Sequence, residues 1–276
     1  MPIVSVLWGL ALLGAAAVSL LAAGTVEYKL AHNALRTMTD DAIAEAAVAR
    51  TVLGLLDARP ERRWRADGVP QAFDLGGRRI VVVVQDELGR IDLNQADGTL
   101  LLGLLVSVGL DVAAAEALVD KILDWRDTSP MKRLNGAKAA EYRAAGYDYQ
   151  PRNGPFQSVD ELRLVMGMTP DIFARVEAAV TVYSGRPRFD PQVAPREALL
   201  ALPATDAAQT AALMAARSQA GAALAGFGDP LTALKGHAFT IVAQFQASDR
   251  VVTRKAAIRI SGNPNQPYWV LNWQRR

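Results

Sequence analysis

The 276 residues contain no cysteine, which excludes disulfides and thiolate metal centres while leaving the compartment open. Histidine is nearly as scarce. His32 and His237 stand far apart and give no ground for a histidine-centred zinc site or general base. Charge of one sign is also missing, with 30 Lys and Arg against 28 Asp and Glu, so no long-range pull on nucleic acid or anionic lipid is expected. No Ser–His arrangement, phosphate-cradling loop or metalloprotease motif is present. Asp124 and Asp127, three apart on one side of a helix, are spaced like many ordinary surface acids, so the chain is not expected to be an enzyme.

A further absence organises the rest. Between residues 2 and 26 there is no charged side chain, and residues 3–23 read IVSVLWGLALLGAAAVSLLAA. About 20 apolar residues at the helical rise cross a bilayer, so this run is long enough to span. A cleaved secretory signal has a shorter apolar region of roughly 7–15 residues behind a basic start. This run is longer and has no Lys or Arg before it, although Ala22-Ala23-Gly24 resembles a cleavage site. Apolar and small residues then continue at helical steps through Val26, Leu30, Ala34, Met38, Ala42, Ala46, Ala49, Leu53 and Leu56. One helix over residues 1–56 is expected, running from membrane into water. Its small residues Gly9, Ala11, Gly14, Ala15 and Ala16 permit close approach of a neighbouring helix. Lys29 and Arg36 follow the span, opposite to the usual cytoplasmic bias of positive charge. A short basic leader ahead of Met1 would restore that bias.

Residues 57–67 form a polar stretch broken by Pro60, and the basic patch around Trp64 reads as solvated loop. Residues 78–84 (RRIVVVV) and 91–94, separated by a turn, read as a hairpin, so 57–95 holds a loop and the first sheet strands. Residues 96–236 carry three helical hairpins. The first joins 100–106 to 113–125 through Gly109, with Asp111 as cap. The second joins 159–166 to 171–180 through Gly167, with Thr169 as cap and Pro170 at the first helical position. The third joins 196–202 to 207–218 through 203–206. RIDLNQA (90–96) and RFDPQVA (188–194) precede the first and third and suggest duplicated modules. From 237 to 276 the period becomes two, through Phe239, Ile241, Ala243 and Phe245, then Ala256, Ile258 and Ile260, then 268–273. The expected class is α+β: a long N-terminal helix, an antiparallel sheet and a large inserted helical domain of helix-hairpin-helix type. Trp269 and Trp273 are equally compatible with sheet packing and with a partner surface.

The blocks VVVVQDELGRIDLN, KILDWRD, NGAKAAEYRAAGYDYQPRNGPFQSVDELRLVMGMT and TVYS, behind an uncharged N-terminal helix, resemble the minor pseudopilins of K type from type II secretion. The likeness extends to about Pro203. It implies a pilin-like protein in the bacterial inner membrane, N-terminus cytoplasmic and bulk periplasmic. It also implies a place at the pseudopilus tip with the I-type and J-type minor pseudopilins. The other pseudopilins, the inner-membrane secretion platform and the secreted substrates are the further implied partners. In such proteins a prepilin peptidase removes a short leader and methylates the new N-terminus. Met1 falls at that position here. Ordinary pilins carry Glu at the fifth mature residue, and this chain has Ser5, which fits a subunit with no preceding amine to pair with. Ser5, Gly9 and Gly14 are therefore the expected membrane-helix assembly positions.

The same resemblance implies calcium, held by oxygen ligands in the loop after the DW-D helix, for which Asp124, Asp127, Glu141 and Asp148 are the available carboxylates. Two departures leave an alternative open. Ser129 stands where a second loop Asp is usual, and Lys138 follows Gly136-Ala137, so an ammonium could stand where a cation would sit. Helix-hairpin-helix modules elsewhere grip phosphate with corner amides, which makes a membrane-anchored nucleic-acid-binding protein the competing reading. The balanced charge and the acids beside the corners, Asp111 and Asp171, oppose it. No nucleic-acid partner is expected.

Overall fold

The uncharged run and the alanine-rich stretch behind it form one helix, α1 (Pro2–Leu55). The computed structural model describes the backbone at residues 2–203, 205–220, 229–247 and 250–275; side chains at 2, 17, 20–26 and 218–220 also lie outside the described residues. Met1 is among the undescribed ones. Up to Arg36 every described side chain of α1 is exposed, including Leu7, Trp8 and Leu12. Among the described residues no helix is long and apolar enough to cross a membrane. The span expected over 3–23 includes positions 17 and 20–23, whose side chains fall outside that description.

The C-terminal part of α1 docks on a sheet, but not through the stripe read from the sequence. The docked face is Asp40, Ala44, Ala47, Val48, Thr51, Val52 and Leu55. Leu30, Ala34, Met38, Ala42, Ala46 and Leu53 of the expected stripe are exposed, while Ala49 and Leu56 lie at the boundary. Alanine-rich sequence offers two weakly apolar faces, and charge chooses between them. Asp40 accepts from Arg250 at 2.8 Å, and Asp41 pairs with Arg254 at 2.8 Å and Arg275 at 2.6 Å, all on the sheet strands or their turn.

The sheet has five antiparallel strands in the order β1 (Asp67–Leu75), β2 (Arg78–Asp86), β5 (Ala238–Gln246), β6 (Val251–Asn263) and β7 (Gln266–Arg275). The expected hairpin of 78–84 with 91–94 is corrected here: β2 pairs with β1, through a turn at Gly76-Gly77 with φ of +56° and +72°. Residues 91–92 instead form β3 (Ile91–Asp92), parallel to β4 (Val180–Thr181). Trp64 is no solvated loop residue, since it lies over Gly54 of α1 and its ring stands 5.5 Å from that of Phe73. Inward residues Ile80, Val82, Val84, Phe239, Ile241, Ala243, Phe245, Ala256, Ile258 and Ile260 close the core under α1.

Because β2 and β5 are direct neighbours, with Asp86 opposite Phe239, everything between them leaves and re-enters the sheet at one place. That insertion carries α2 (Gly98–Ser107), α3 (Val112–Arg126), α4 (Ala139–Ala144), α5 (Pro170–Val176), α6 (Arg196–Leu199), α7 (Ala207–Ala220) and α8 (Pro230–Ala233). The caps fall where expected: Asp111 accepts from Ala114 N at 3.0 Å, and Thr169 Oγ1 from Ile172 N at 3.2 Å. The first arm of the second hairpin is a 3-10 turn, Val159–Leu164, and α5 ends early because Val180 leaves to pair with Ile91. The corner of the third hairpin includes residue 204, outside the described residues. The duplicated lead-ins share an Asx turn: Asp92 Oδ1 accepts from Asn94 N, and Asp190 Oδ1 from Gln192 N, both at 2.8 Å. Each is followed by a fully buried alanine, Ala96 and Ala194.

The insertion also leans on the sheet face opposite α1. Lys255 Nζ lies 3.3 Å from Glu177, Arg259 donates to Tyr183 O at 3.0 Å, and Gln274 donates to Asp160 at 3.1 Å. Trp269 and Trp273, four apart, would share a face of a regular strand. A bulge that skips Leu271 separates them, leaving Trp269 exposed and folding Trp273 against the core under α1.

Candidate functional site: the loop after α3 and the surface of α1

The loop predicted to hold a cation is organised by the end of α3. A helix leaves its last carbonyls without intrahelical partners, and here they are met by groups far along the chain. Lys138 Nζ donates to Asp124 O at 2.7 Å and to Asp127 O at 2.7 Å, and its third contact is Asn153 Oδ1 at 3.1 Å. Gly154 N approaches Trp125 O at 3.4 Å. A cation at a helix C-terminus also opposes the helix dipole. Lys138 is buried, and Asn153 holds φ of +52°, a left-handed conformation that asparagine tolerates better than most residues.

The four candidate carboxylates do not converge. Asp124 is fully buried, yet its oxygens accept from Arg133 N at 3.1 and 3.3 Å. Burial pushes its carboxyl above the usual range, against the opposing pull of the Arg133 amide and of the Lys138 and Arg133 charges. Asp127 Oδ1 closes a turn with Ser129 N at 3.0 Å. Glu141 accepts from Lys138 N at 3.0 Å and pairs with Lys132 at 3.0 Å, and these contacts hold it below the usual range. Asp148 is exposed. Among the described residues no group of three His, Cys, Asp or Glu is placed to hold a metal ion.

Aromatic packing fixes the rest of the loop. Tyr142 is fully buried against Trp125, Tyr147 and Tyr149, with ring centroids 5.5–6.1 Å apart, and Trp125 stacks on Phe156. The Tyr142 hydroxyl accepts from Met166 N at 2.7 Å, and burial pushes its pKa up to about 12. Asn94 clamps Phe156 through both amide atoms, at 2.9 and 2.7 Å. Asn94, Asn153 and Tyr142 were not singled out from the sequence. Their partners are separated by many residues, and no local pattern marks such pairs.

On α1, Ser5, Gly9 and Gly14 are all exposed, and a Cβ at either glycine would meet nothing within 4 Å of it. At the hairpin corners, by contrast, little is free. Gly109 N donates to Val106 O and Leu110 N to Leu105 O, Arg175 donates to Val108 O, and Asp171 pairs with Arg175.

A long helix half laid on an antiparallel sheet, with a helical domain entered and left between two paired strands, defines a mixed helix-and-sheet body carrying a helical insertion. Within it, residues 84–185 match the family model of type II secretion system (T2SS), protein K, the region that carries most of the sequence blocks quoted above. The type II secretion system protein K of Klebsiella pneumoniae is 36% identical over 73 residues, which are 26% of this chain and 22% of that protein. That of Dickeya chrysanthemi is 33% identical over 79 residues, 29% of this chain and 21% of that protein. The matched stretches thus span about a fifth of these relatives. A chain in the crystal structure of the GspK-GspI-GspJ complex from the type 2 secretion system of enterotoxigenic Escherichia coli shares the fold, with a TM-score of 0.66 and 18% identity. The match covers 89% of this chain and 98% of that one. The resemblance read from the sequence to type II secretion protein K is therefore borne out.

Proposed function

We propose that this chain is a minor pseudopilin of K type, standing at the tip of a type II secretion pseudopilus and capping or initiating its assembly. In this role it supports export of folded proteins across the outer membrane. The observation that carries the reading is the division of α1: its C-terminal part is fastened to the sheet, while the described side chains of its N-terminal part, most of them apolar or small, are exposed to the surroundings. A helix bare on every side needs lipid or other helices around it. Residues 3–23 serve as the inner-membrane anchor, with the N-terminus cytoplasmic and the sheet and insertion periplasmic. The partners are the I-type and J-type minor pseudopilins, in keeping with the complex in which the similar fold occurs. The nucleic-acid reading draws little support, because the Gly109 and Leu110 amides already close the end of α2 on its own carbonyls.

The assembly role separates cleanly from folding at Gly14. Its missing Cβ has open space within the chain, so Gly14→Leu is expected to leave the thermal unfolding of the isolated protein unchanged. Close helix approach in lipid depends on such small residues. Recovery of the variant with the other minor pseudopilins, measured by co-purification from membranes, should fall on the order of tenfold. Undiminished recovery would contradict the proposed helix contact.

A further inference from the structure

We propose that the Lys138 ammonium is the built-in cation of the loop after α3, and that this loop keeps its structure without calcium. The donor set decides the matter. Around Lys138 Nζ stand three oxygens, the carbonyls of Asp124 and Asp127 and the side-chain amide oxygen of Asn153. All three are formally neutral. An ammonium carries three N–H donors, so the count of donors and acceptors closes. A calcium ion asks for roughly six to eight oxygens, several of them carboxylate. Three of the four candidate carboxylates are turned to other work, Asp124 to the Arg133 amide, Asp127 to Ser129 N, and Glu141 to Lys138 N and Lys132, and Asp148 is exposed to solvent. The residues present therefore do not fit the calcium that the family resemblance implies.

Backbone geometry reinforces the assignment. A Cβ on Gly136 would lie 1.9 Å from Asp124 Oδ2 and 2.9 Å from Arg133 N, so the chain passes against the buried carboxylate only because residue 136 has no side chain. Two residues later it delivers Lys138 into the cage. Asn153 presents its amide oxygen from a left-handed backbone position. Three segments separated along the chain, 124–127, 138 and 153, are thereby tied together by one covalently supplied charge. A tethered ammonium is present at fixed stoichiometry, whereas a bound ion depends on its concentration.

The test uses the full-length protein in detergent and does not depend on the proposed assembly role. Thermal unfolding in excess calcium and in excess EDTA should give the same Tm, and a terbium luminescence titration should show no saturable one-to-one binding. Lys138→Met removes the charge while keeping much of the stem, and leaves three oxygens, among them the carbonyl of the fully buried Asp124, without their donor. Its Tm should fall by roughly 5 °C, with new proteolytic cleavage between residues 128 and 137. A calcium-dependent rise in the Tm of the native chain, or stoichiometric terbium binding to it, would overturn the proposal even if the variant fails to fold. A Lys138→Met protein with native Tm and native protease resistance would overturn it as well.

Discussion

Asp41→Ala is expected to lower stability by about 2–3 kcal/mol, the cost of removing the carboxylate from a part-buried, charge-assisted hydrogen-bonded pair whose arginine partner is buried. Asp41 accepts from Arg254 Nε at 2.8 Å and from Arg275 Nη2 at 2.6 Å. The Arg275 side chain is largely exposed, and its loss matters little. Arg254 is the sensitive partner, because its side chain is 8% exposed and, among the described residues, would keep its hydrogen bond to the Thr253 carbonyl at 3.1 Å but lose its carboxylate. Its neighbour Asp40 is held by Arg250 on the same side, so the two acids together fix which face of α1 meets the sheet. Weakening them should loosen the contact of Ala44, Ala47, Val48 and Val52 with the strands below. Chemical denaturation of the variant measures the loss, and limited proteolysis reads the loosening. A change under about 0.5 kcal/mol would place the pair with ordinary surface ion pairs and remove its role in docking α1.

Gly103→Ala should be of similar size and opposite to what helix propensity suggests. In an exposed helix interior this exchange stabilises by about 1 kcal/mol. In α2, however, the added Cβ would lie 2.2 Å from the carbonyl oxygen of Ala201 and 3.1 Å from its carbon, both backbone atoms with no rotamer to yield. The first and third helical hairpins must then separate, exposing parts of Leu101, Leu104, Leu105, Ala198 and Leu199, all buried in the insertion core. A loss of about 3 kcal/mol and a fall in Tm of roughly 8 °C are expected. Gly9→Ala is the control, since its Cβ meets nothing within 4 Å and its Tm should not fall. A Gly103→Ala protein more stable than the native chain would show that α2 and α6 do not pack as described.

Features carried by neighbouring residues were legible in the sequence. The length and continuity of α1, the Asp111 and Thr169 caps, Pro170 at the start of α5 and the alternation of β5 and β6 all follow from local rules, and all appear in the structure. Pairings between distant residues were not. β1 escaped notice because DGVPQAFDL is polar and contains Pro70, a composition tolerated on an edge strand, although Gly76-Gly77 marked the turn. The docked face of α1 depends on arginines more than two hundred residues away. At the candidate cation loop the sequence presented both readings, four carboxylates and one intruding lysine. The three oxygens around Lys138 emerge only once α3 has ended and Asn153 has turned back toward it.

Co-purification tests the proposed place of this chain among the minor pseudopilins. The full-length chain, co-expressed with the I-type and J-type minor pseudopilins and solubilised from membranes, should be recovered in a stable ternary complex and should not bind duplex DNA. Failure to form that complex, together with salt-sensitive binding to DNA, would contradict the account and assign the helical hairpins to nucleic acid instead.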